Sequence, residues 1–340
     1  MNREVYGLDL GSYEIKIYDK NEDRIWKAKN AAAITTGHRY CGYGDDAYAM
    51  FEKAPAGTEV IFPMENGVIS HFEHMQYVLK HLIRMERRFP GGGGEYLIAV
   101  PTDVTEVEKK AFYDLVCHSG ARARSVRIVE RGIADAVGMG ADIVNEQGIL
   151  VVNCGAETTE ISVLSENGMV VNRLVKTGGN KIDASIVTSV RKEMDFLIGR
   201  TTAELLRKNF GIIDAFMPGV KVAGRDLITG VPRQEIIGPE LIRRALKEPL
   251  LECVQAIQTI LERTPPIVRK AAAGRGILLS GGQAKLPGLK EYLEEQTRLK
   301  VSLGEDSEFC AVKGLKKIIL NPEYTNITYS MTNEDYRWLR

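Results

Sequence analysis

A strand, a glycine turn and a returning strand occur twice in this chain, once at the head of each half, and that repeat limits the fold more than any other feature. Glu4 to Leu10 is a short apolar run with β-branched and aromatic residues, followed by a Gly-Ser turn at 11–12 and an alternating run from Ile15 to Tyr18. The same grammar returns from Gly148 to Asn153, with a turn at Cys154 to Thr158 and a strand from Ile161 to Leu164. Set side by side, the segments Asp9 to Lys16 and Asn153 to Glu160 share mainly the strand, Gly11 against Gly155, and the returning strand. Each hairpin is followed by more strand and then helices, a mixed order that predicts an α/β fold of two related lobes.

Helical spacing of Val107, Ala111 and Leu115 predicts a helix from Asp103 to His118, followed by a strand at Val126 to Val129 and a helix at Ile133 to Met139. In the second half, Lys181 to Phe196, Thr202 to Asn209 and Pro239 to Leu261 read as helices. Gly276 to Ser280 reads as a short buried strand ending in Gly281-Gly282, where backbone can approach a ligand closely. Gly91 to Gly94 forms a glycine loop, and Asn321 to Arg340 is a polar tail carrying Tyr324, Tyr329, Tyr336 and Trp338. Those aromatics either pack back on the body or dock a partner.

A chain of 340 residues suggests two domains at roughly 150 residues each. Lys plus Arg number 45 and Asp plus Glu number 45, so no net charge draws the chain to nucleic acid or anionic lipid, and a polybasic role is excluded. Five scattered cysteines without a CxxC pair argue against a disulfide framework or a cysteine zinc site and point to a reducing compartment. The opening MNREVYGLDL lacks a long apolar core and no run approaches the roughly 18 apolar residues of a membrane span, so a cytoplasmic protein is expected. His71, His74 and His81 fall at helical spacing; without a completing Cys or carboxylate pair they read as a helix face.

A turn presenting Gly and a small hydroxyl residue after a strand leaves backbone N–H groups free to face phosphate oxygens. Two such turns in repeated lobes, with Gly281-Gly282 beyond them, would make a three-part cradle for a nucleotide, as against two ordinary hairpin turns.

The chain resembles the actin-like ATPases, and within them the MreB-like rod-shape proteins. The resemblance is carried by GLDLGSYEIKIY (7–18), FPMENGVISHFE (62–73), AVPTDVTEVEKKAF (99–112), the run from Glu157 to Asp183, LIGRTTAEL (197–205), VAGRDLITGVP (222–232), ALKEPL (245–250), LERTPP (261–266) and RGILLSGGQAKLPGL (275–289), in family order. It implies a two-lobed actin/chaperone-ATPase-like fold, each lobe a mixed sheet with flanking helices, and ATP or ADP with Mg²⁺ in the cleft between them. The lobes would span 1–143, with a small insert at about 32–69, and 144–320, with a subdomain at about 177–268; a tail follows at 321–340. Head-to-tail filaments are implied too, an open heterologous contact, with envelope or membrane-associated partners and a place in the cytoplasm, peripheral at the inner face of the membrane.

Carried onto this sequence, the resemblance places Asp9, Gly11, Ser12 and Tyr13 at the first phosphate turn, with Lys16 facing phosphate and Asp9 holding Mg²⁺ indirectly. Gly155, Thr158 and Thr159 fit the second turn. Gly178, Gly179, Asp183, Gly281 and Gly282 fit nucleoside contacts, and Glu204 with Arg207 or Lys208 falls on the helix that meets ribose and base. Arg84, Arg87, Arg88 and Phe89 lie where relatives carry an apolar membrane-touching loop; here they read as a solvated helix end.

Departures from the family pattern fall on the chemistry. Glu14 stands for an Asn, Asn153 for an Asp, Glu157 for a Gly and Gln283 for a Gly, while Arg131, followed by Gly132, replaces the acid that precedes a Pro and positions the attacking water. A carboxylate about 4 Å from a phosphate charge costs on the order of 4 kcal/mol at an effective dielectric of 20, so Glu14 or Glu157 turned inward would oppose ATP. Asn153 loses the charge that helps hold hydrated Mg²⁺. Arg131 can donate to phosphate but cannot accept a proton, which leaves Asp9 and Glu130 as the catalytic candidates, Glu130 on the opposite side of a strand end. The expectation is a filament protein with weakened hydrolysis; a non-polymerising adaptor and a small-molecule kinase of the same superfamily are the alternatives.

Overall fold

The computed structural model describes residues 4–86, 93–119, 123–166, 168–212 and 217–331. The first half runs β1 (Val5–Leu10), β2 (Glu14–Asp19), β3 (Arg24–Lys29), β4 (Ala32–Thr35), β5 (Tyr40–Tyr43), α1 (Gly44–Ala49), β6 (Thr58–Ile61), β7 (Met64–Glu65), β8 (Val68–Ile69), α2 (Phe72–Glu86), β9 (Gly94–Val100), α3 (Glu106–His118), β10 (Ala123–Glu130) and α4 (Arg131–Gly138). The second runs β11 (Ile149–Cys154), β12 (Thr159–Ser165), β13 (Gly168–Val175), α5 (Gly179–Met194), β14 (Phe196–Leu197), α6 (Arg200–Phe210), β15 (Val220–Asp226), β16 (Pro232–Ile237), α7 (Pro239–Arg263), α8 (Pro266–Arg275), β17 (Ile277–Ser280), α9 (Leu289–Thr297), β18 (Val301–Leu303) and α10 (Cys310–Leu320).

The repeat seen in the sequence becomes two sheets built to one plan. One has the order β10-β9-β1-β2-β3 and the other β13-β12-β11-β17-β18. In each, an antiparallel hairpin and its third strand join parallel strands through the hairpin's first strand, β1 to β9 and β11 to β17. The register sets Asp9 opposite Lys16 in one hairpin and Asn153 opposite Glu160 in the other, the ends of the two aligned segments. Buried β-branched and Leu side chains on both faces of β1, β11 and β17 make these the central strands, as parallel sheet interiors require.

The core has one large apolar cluster for each lobe and a third between them. That third layer is α4 packed on α10, and glycines set its closeness. A Cβ on Gly314 would lie 1.8 Å from the Ala134 carbonyl oxygen, and one on Gly138 would lie 2.0 Å from that of Cys310. Larger residues at either position would force the helices apart. Because α4 starts directly at the end of β10, this crossing fixes Arg131, its first residue, between the lobes.

One expectation needs correction. Val107, assigned to the buried stripe of α3, is 80% exposed; Phe112, Leu115 and Val116 form that face instead. Of the two alternatives for the tail aromatics, Tyr324 and Tyr329 pack back on the body: Pro322–Ile327 forms a short 3-10 turn, Tyr324 packs on the inter-lobe layer, and Tyr329 pairs through its backbone with Ile128 of β10. Tyr336 and Trp338 lie outside the described residues, as do Arg87, Arg88 and Phe89 and the side chain of Arg84.

Candidate functional site

The carboxyl ends of β1, β10, β11 and β17 meet around a cleft of about 590 Å³, the place where open α/β sheets bind ligands. Asp9, Gly11, Ser12, Tyr13 and Lys16 line it from the first hairpin, and Gly155 and Thr158 from the second. Asp183, Glu204, Arg207, Lys208, Gly281 and Gly282 line it as well. Gly281 has φ of +89°, and a Cβ there would sit 2.3 Å from the Cys154 carbonyl oxygen, so only glycine lets β17 turn past the second hairpin. Gly178, Gly179 and Thr159 stand behind the lining. Gly179 N–H donates to the Gly155 carbonyl, holding α5 against the second turn, and the buried Thr159 hydroxyl donates to the Thr177 carbonyl.

Glu130, offered as a catalytic carboxylate, is turned away from the cleft. Its Oε1 accepts from the Tyr329 hydroxyl at 2.8 Å and lies 3.8 Å from Lys109 Nζ. A strand alternates its faces, so the residue beside Arg131 projects to the opposite side.

Arg131 dominates the cleft floor. Its Nη1 donates to Glu160 of the other lobe, its Nη2 donates to the Leu10 carbonyl at 3.2 Å, and its Nε lies 3.4 Å from Asp9 Oδ1. Burial alone would lower the Arg131 pKa, but Glu160 and Asp9 outweigh it and drive the shift upward. The second Glu160 oxygen accepts from the Thr102 N–H at 3.2 Å. Behind this pair, Asn153 Nδ2 donates to Asp135 Oδ2 at 2.7 Å, and Asp135 Oδ1 is buried without a hydrogen-bond partner. Burial pushes the Asp135 carboxyl up to about 7, against the Asn153 hydrogen bond.

Magnesium does not fit this floor. Asp9 Oδ2 faces Lys16 Nζ at 3.8 Å while Oδ1 faces Arg131, so a divalent ion at Asp9 would sit among cations. At about 4 Å and an effective dielectric of 20, its repulsion from one guanidinium is roughly 8 kcal/mol, equal to its attraction to one carboxylate at the same distance. Among the described residues no group of three or more His, Cys, Asp or Glu is placed to hold a metal ion.

Glu14 and Glu157 both line the cleft, and neither bears on it as a bare charge. Glu14 meets Lys29 at 2.7 Å and Lys27 at 3.2 Å. Although burial pushes its carboxyl up, Lys29, with Lys16 and Lys27, holds it below the usual range. The cost expected of Glu14 is therefore offset by lysines on β3. Glu157 accepts from the Asn66 N–H at 2.7 Å and from Asn180 Nδ2 at 3.3 Å, which ties the β7–β8 hairpin of the first lobe to the second turn.

The cleft mouth is bridged in the same manner. Tyr13 and Tyr48 both donate to Glu204, and burial raises the Tyr13 hydroxyl to about 12. Lys208 pairs with Glu204 at 2.6 Å. Glu52, beyond α1, accepts from the Arg200 and Thr201 N–H groups and from the Thr201 hydroxyl, satisfying the donors at the start of α6. On the inner wall, Arg207 holds Asp183 through two donors and reaches Gln283 Oε1 at 2.7 Å. Burial still leaves the Asp183 carboxyl raised.

Lys27, Lys29, Tyr48, Glu52 and Glu160 are site residues that the sequence reading did not single out. Lys27 and Lys29 carried a usable signal, alternation on one strand, which puts both on the face that meets Glu14. Glu160 had another, its match to Lys16 in the repeat.

The chain matches the family described as MreB/Mbl protein over residues 3–326. It is 33% identical over 319 residues to the cell shape-determining protein MreB of Escherichia coli K12, covering 90% of each chain. It is 30% identical over 312 residues to the cell shape-determining protein Mbl of Bacillus subtilis 168, covering 91% of this chain and 93% of that one. The structure of MreB5 of Spiroplasma citri bound to AMPPNP superposes with a TM-score of 0.88 at 28% identity, covering 94% of this chain and 96% of that one. A MamK double helical filament shares the fold at TM-score 0.79 and 18% identity, covering 94% of this chain and 99% of that one. With the repeated hairpins, the two-lobed sheets and the cleft between them, these matches establish that the chain belongs to the MreB/Mbl family of actin-like proteins.

Proposed function

We propose that this chain binds ATP or ADP in the inter-lobe cleft, assembles head to tail into filaments that serve cell shape or envelope organisation, and hydrolyses ATP weakly or not at all. The observation that carries the last point is Arg131, held on the cleft floor by Glu160 and Asp9. A guanidinium locked in that network neither accepts a proton nor orients water as a carboxylate does. Asp9 faces two cations and Glu130 faces Tyr329, so neither supplies the missing base, which also weighs against a small-molecule kinase.

Nucleotide binding is supported by the MreB5 structures of Spiroplasma citri, bound to AMPPNP and to ADP, and by the paired glycine turns and Lys16, which line one cleft. Gly11, Ser12, Gly155 and Thr158 would face phosphates, and Asp183, Glu204, Arg207 and Gly282 the nucleoside. Self-association is supported by the exposed apolar turn after β15, where Ile228 is 80% and Val231 55% exposed. The proposed lobes are 1–143 and 144–320, and each contains one of the two five-stranded sheets. A cytoplasmic site, peripheral at the inner membrane face, belongs to the same reading. Among the described residues no helix is long and apolar enough to cross a membrane.

Phosphate release from ATP, with sedimentation and negative-stain microscopy in parallel, tests the proposal. Filaments with nucleotide and little phosphate release are expected. Turnover at ordinary actin-family rates would remove the claim of weakened hydrolysis, and nucleotide-bound monomers would favour the adaptor reading.

A further inference from the structure

We infer that the cleft holds nucleotide phosphates through the N–H donors of Arg131 and Lys16, without a divalent metal. This rests on the reading of the cleft as a nucleotide site. Arg131 stands between Asp9 of one lobe and Glu160 of the other, where a positive charge joins the two hairpins. Lys16 covers the second oxygen of Asp9. These four residues carry two positive and two negative charges, so the floor is balanced without a metal ion.

The carboxylate oxygens that would otherwise hold hydrated Mg²⁺ are committed. Asp9 is flanked by both cations, and Glu160 is divided between Arg131 and the Thr102 N–H. Asn153 is neutral and turns its amide to Asp135, which is fully buried and does not line the cleft. Mg²⁺ relies on one or two carboxylates together with phosphates, and no carboxylate on this floor is open to it. The guanidinium has five N–H donors; its hydrogen bonds to Glu160 and Leu10 use two, and Nε faces Asp9, which leaves one on each terminal nitrogen. The side chain lines the cleft, so the remaining donors suit phosphate oxygens, which guanidinium groups bind in a planar fork.

The test compares ATP and ADP binding to the purified full chain, by equilibrium dialysis, with Mg²⁺ present and with excess chelator. Dissociation constants that agree within about threefold are expected. Arg131→Gln should weaken chelator-resistant binding by about tenfold or more, and Arg131→Lys should retain most of it. Binding of the wild-type chain that appears only with Mg²⁺ overturns the inference and leaves the nucleotide site standing. Absence of binding in both conditions overturns the inference and the nucleotide reading together. A folded Arg131→Gln chain that binds as tightly without metal as the wild type overturns the role of Arg131; if that variant does not fold, the wild-type comparison alone decides.

Discussion

Arg131 and Glu160 join the two lobes across the floor of the cleft, one from the first turn of α4 and the other from β12, and both are buried. A buried pair of this kind contributes little relative to a well-packed apolar pair, yet losing one partner leaves the other charge stranded. Arg131→Ala strands Glu160 and Asp9 and should destabilise the chain by about 3–5 kcal/mol in urea unfolding. Replacing both partners, Arg131→Met with Glu160→Leu, should recover a large part of that loss. A single variant as stable as the wild type would show that the pair does not hold the lobes.

Asp135 makes the same region sensitive to pH. Its carboxyl faces Asn153 on β11, Arg131 on its own helix, Asp9 on β1, Glu160 on β12 and Cys310 on α10. Burial raises it from 3.8 to about 7, so the folded chain keeps a proton that the unfolded chain releases. The unfolded state then binds fewer protons across that window, and stability falls as pH rises from about 4 to about 7. The contribution approaches one proton, roughly 1.4 kcal/mol per pH unit. Asp135→Asn should flatten the slope and leave the variant more stable than wild type above neutral pH. Parallel pH profiles for the two chains would refute this.

The hairpins, and with them most of the phosphate turns, are legible in the sequence because alternation and glycine placement are short-range signals. Asp9, Lys16, Asn153 and Glu160 fall into register directly from the repeat. Asp135 is also an oddity open to inspection, one acid within Ile133, Ala134, Ala136 and Val137, but its partner on β11 is set by packing alone. The bridges across the mouth have no local signature. Glu52 reads as a loop residue until folding brings it to α6, 148 positions away, and Glu157 reads as a charge opposing phosphate until Asn66 and Asn180 cover it. Tyr329 likewise belongs to an apparently loose tail until β10 supplies Glu130 and the Ile128 backbone.

The Glu52 bridge gives a test of how the mouth is held. The helix N-terminus it caps carries unsatisfied N–H donors and a partial positive charge, and a carboxylate answers both. Burial pushes the Glu52 carboxyl up, but the Thr201 and Arg200 donors more than offset this, and it is held below the usual range. Glu52→Ala should cost about 1 kcal/mol and speed amide exchange at Arg200 and Thr201 without altering exchange in β1 or β11. Unchanged exchange at those two amides would mean that water replaces the cap at no cost.

The turn after β15 ties the proposed filament to particular side chains. Asp226 organises it: Oδ1 accepts from the Ile228 and Thr229 N–H groups, and the carboxylate pairs with Arg233. With its backbone held this way, the turn projects Ile228 into solvent. Burying one such side chain in a neighbouring copy would contribute about 2 kcal/mol per contact. Ile228→Asp replaces that gain with the cost of burying a charge, so the critical concentration for assembly should rise by more than about tenfold while the fold is kept. Sedimentation across a concentration series, with circular dichroism as the control, measures both. Filaments that form at the wild-type concentration would exclude this turn from the head-to-tail contact and move the interface to another face.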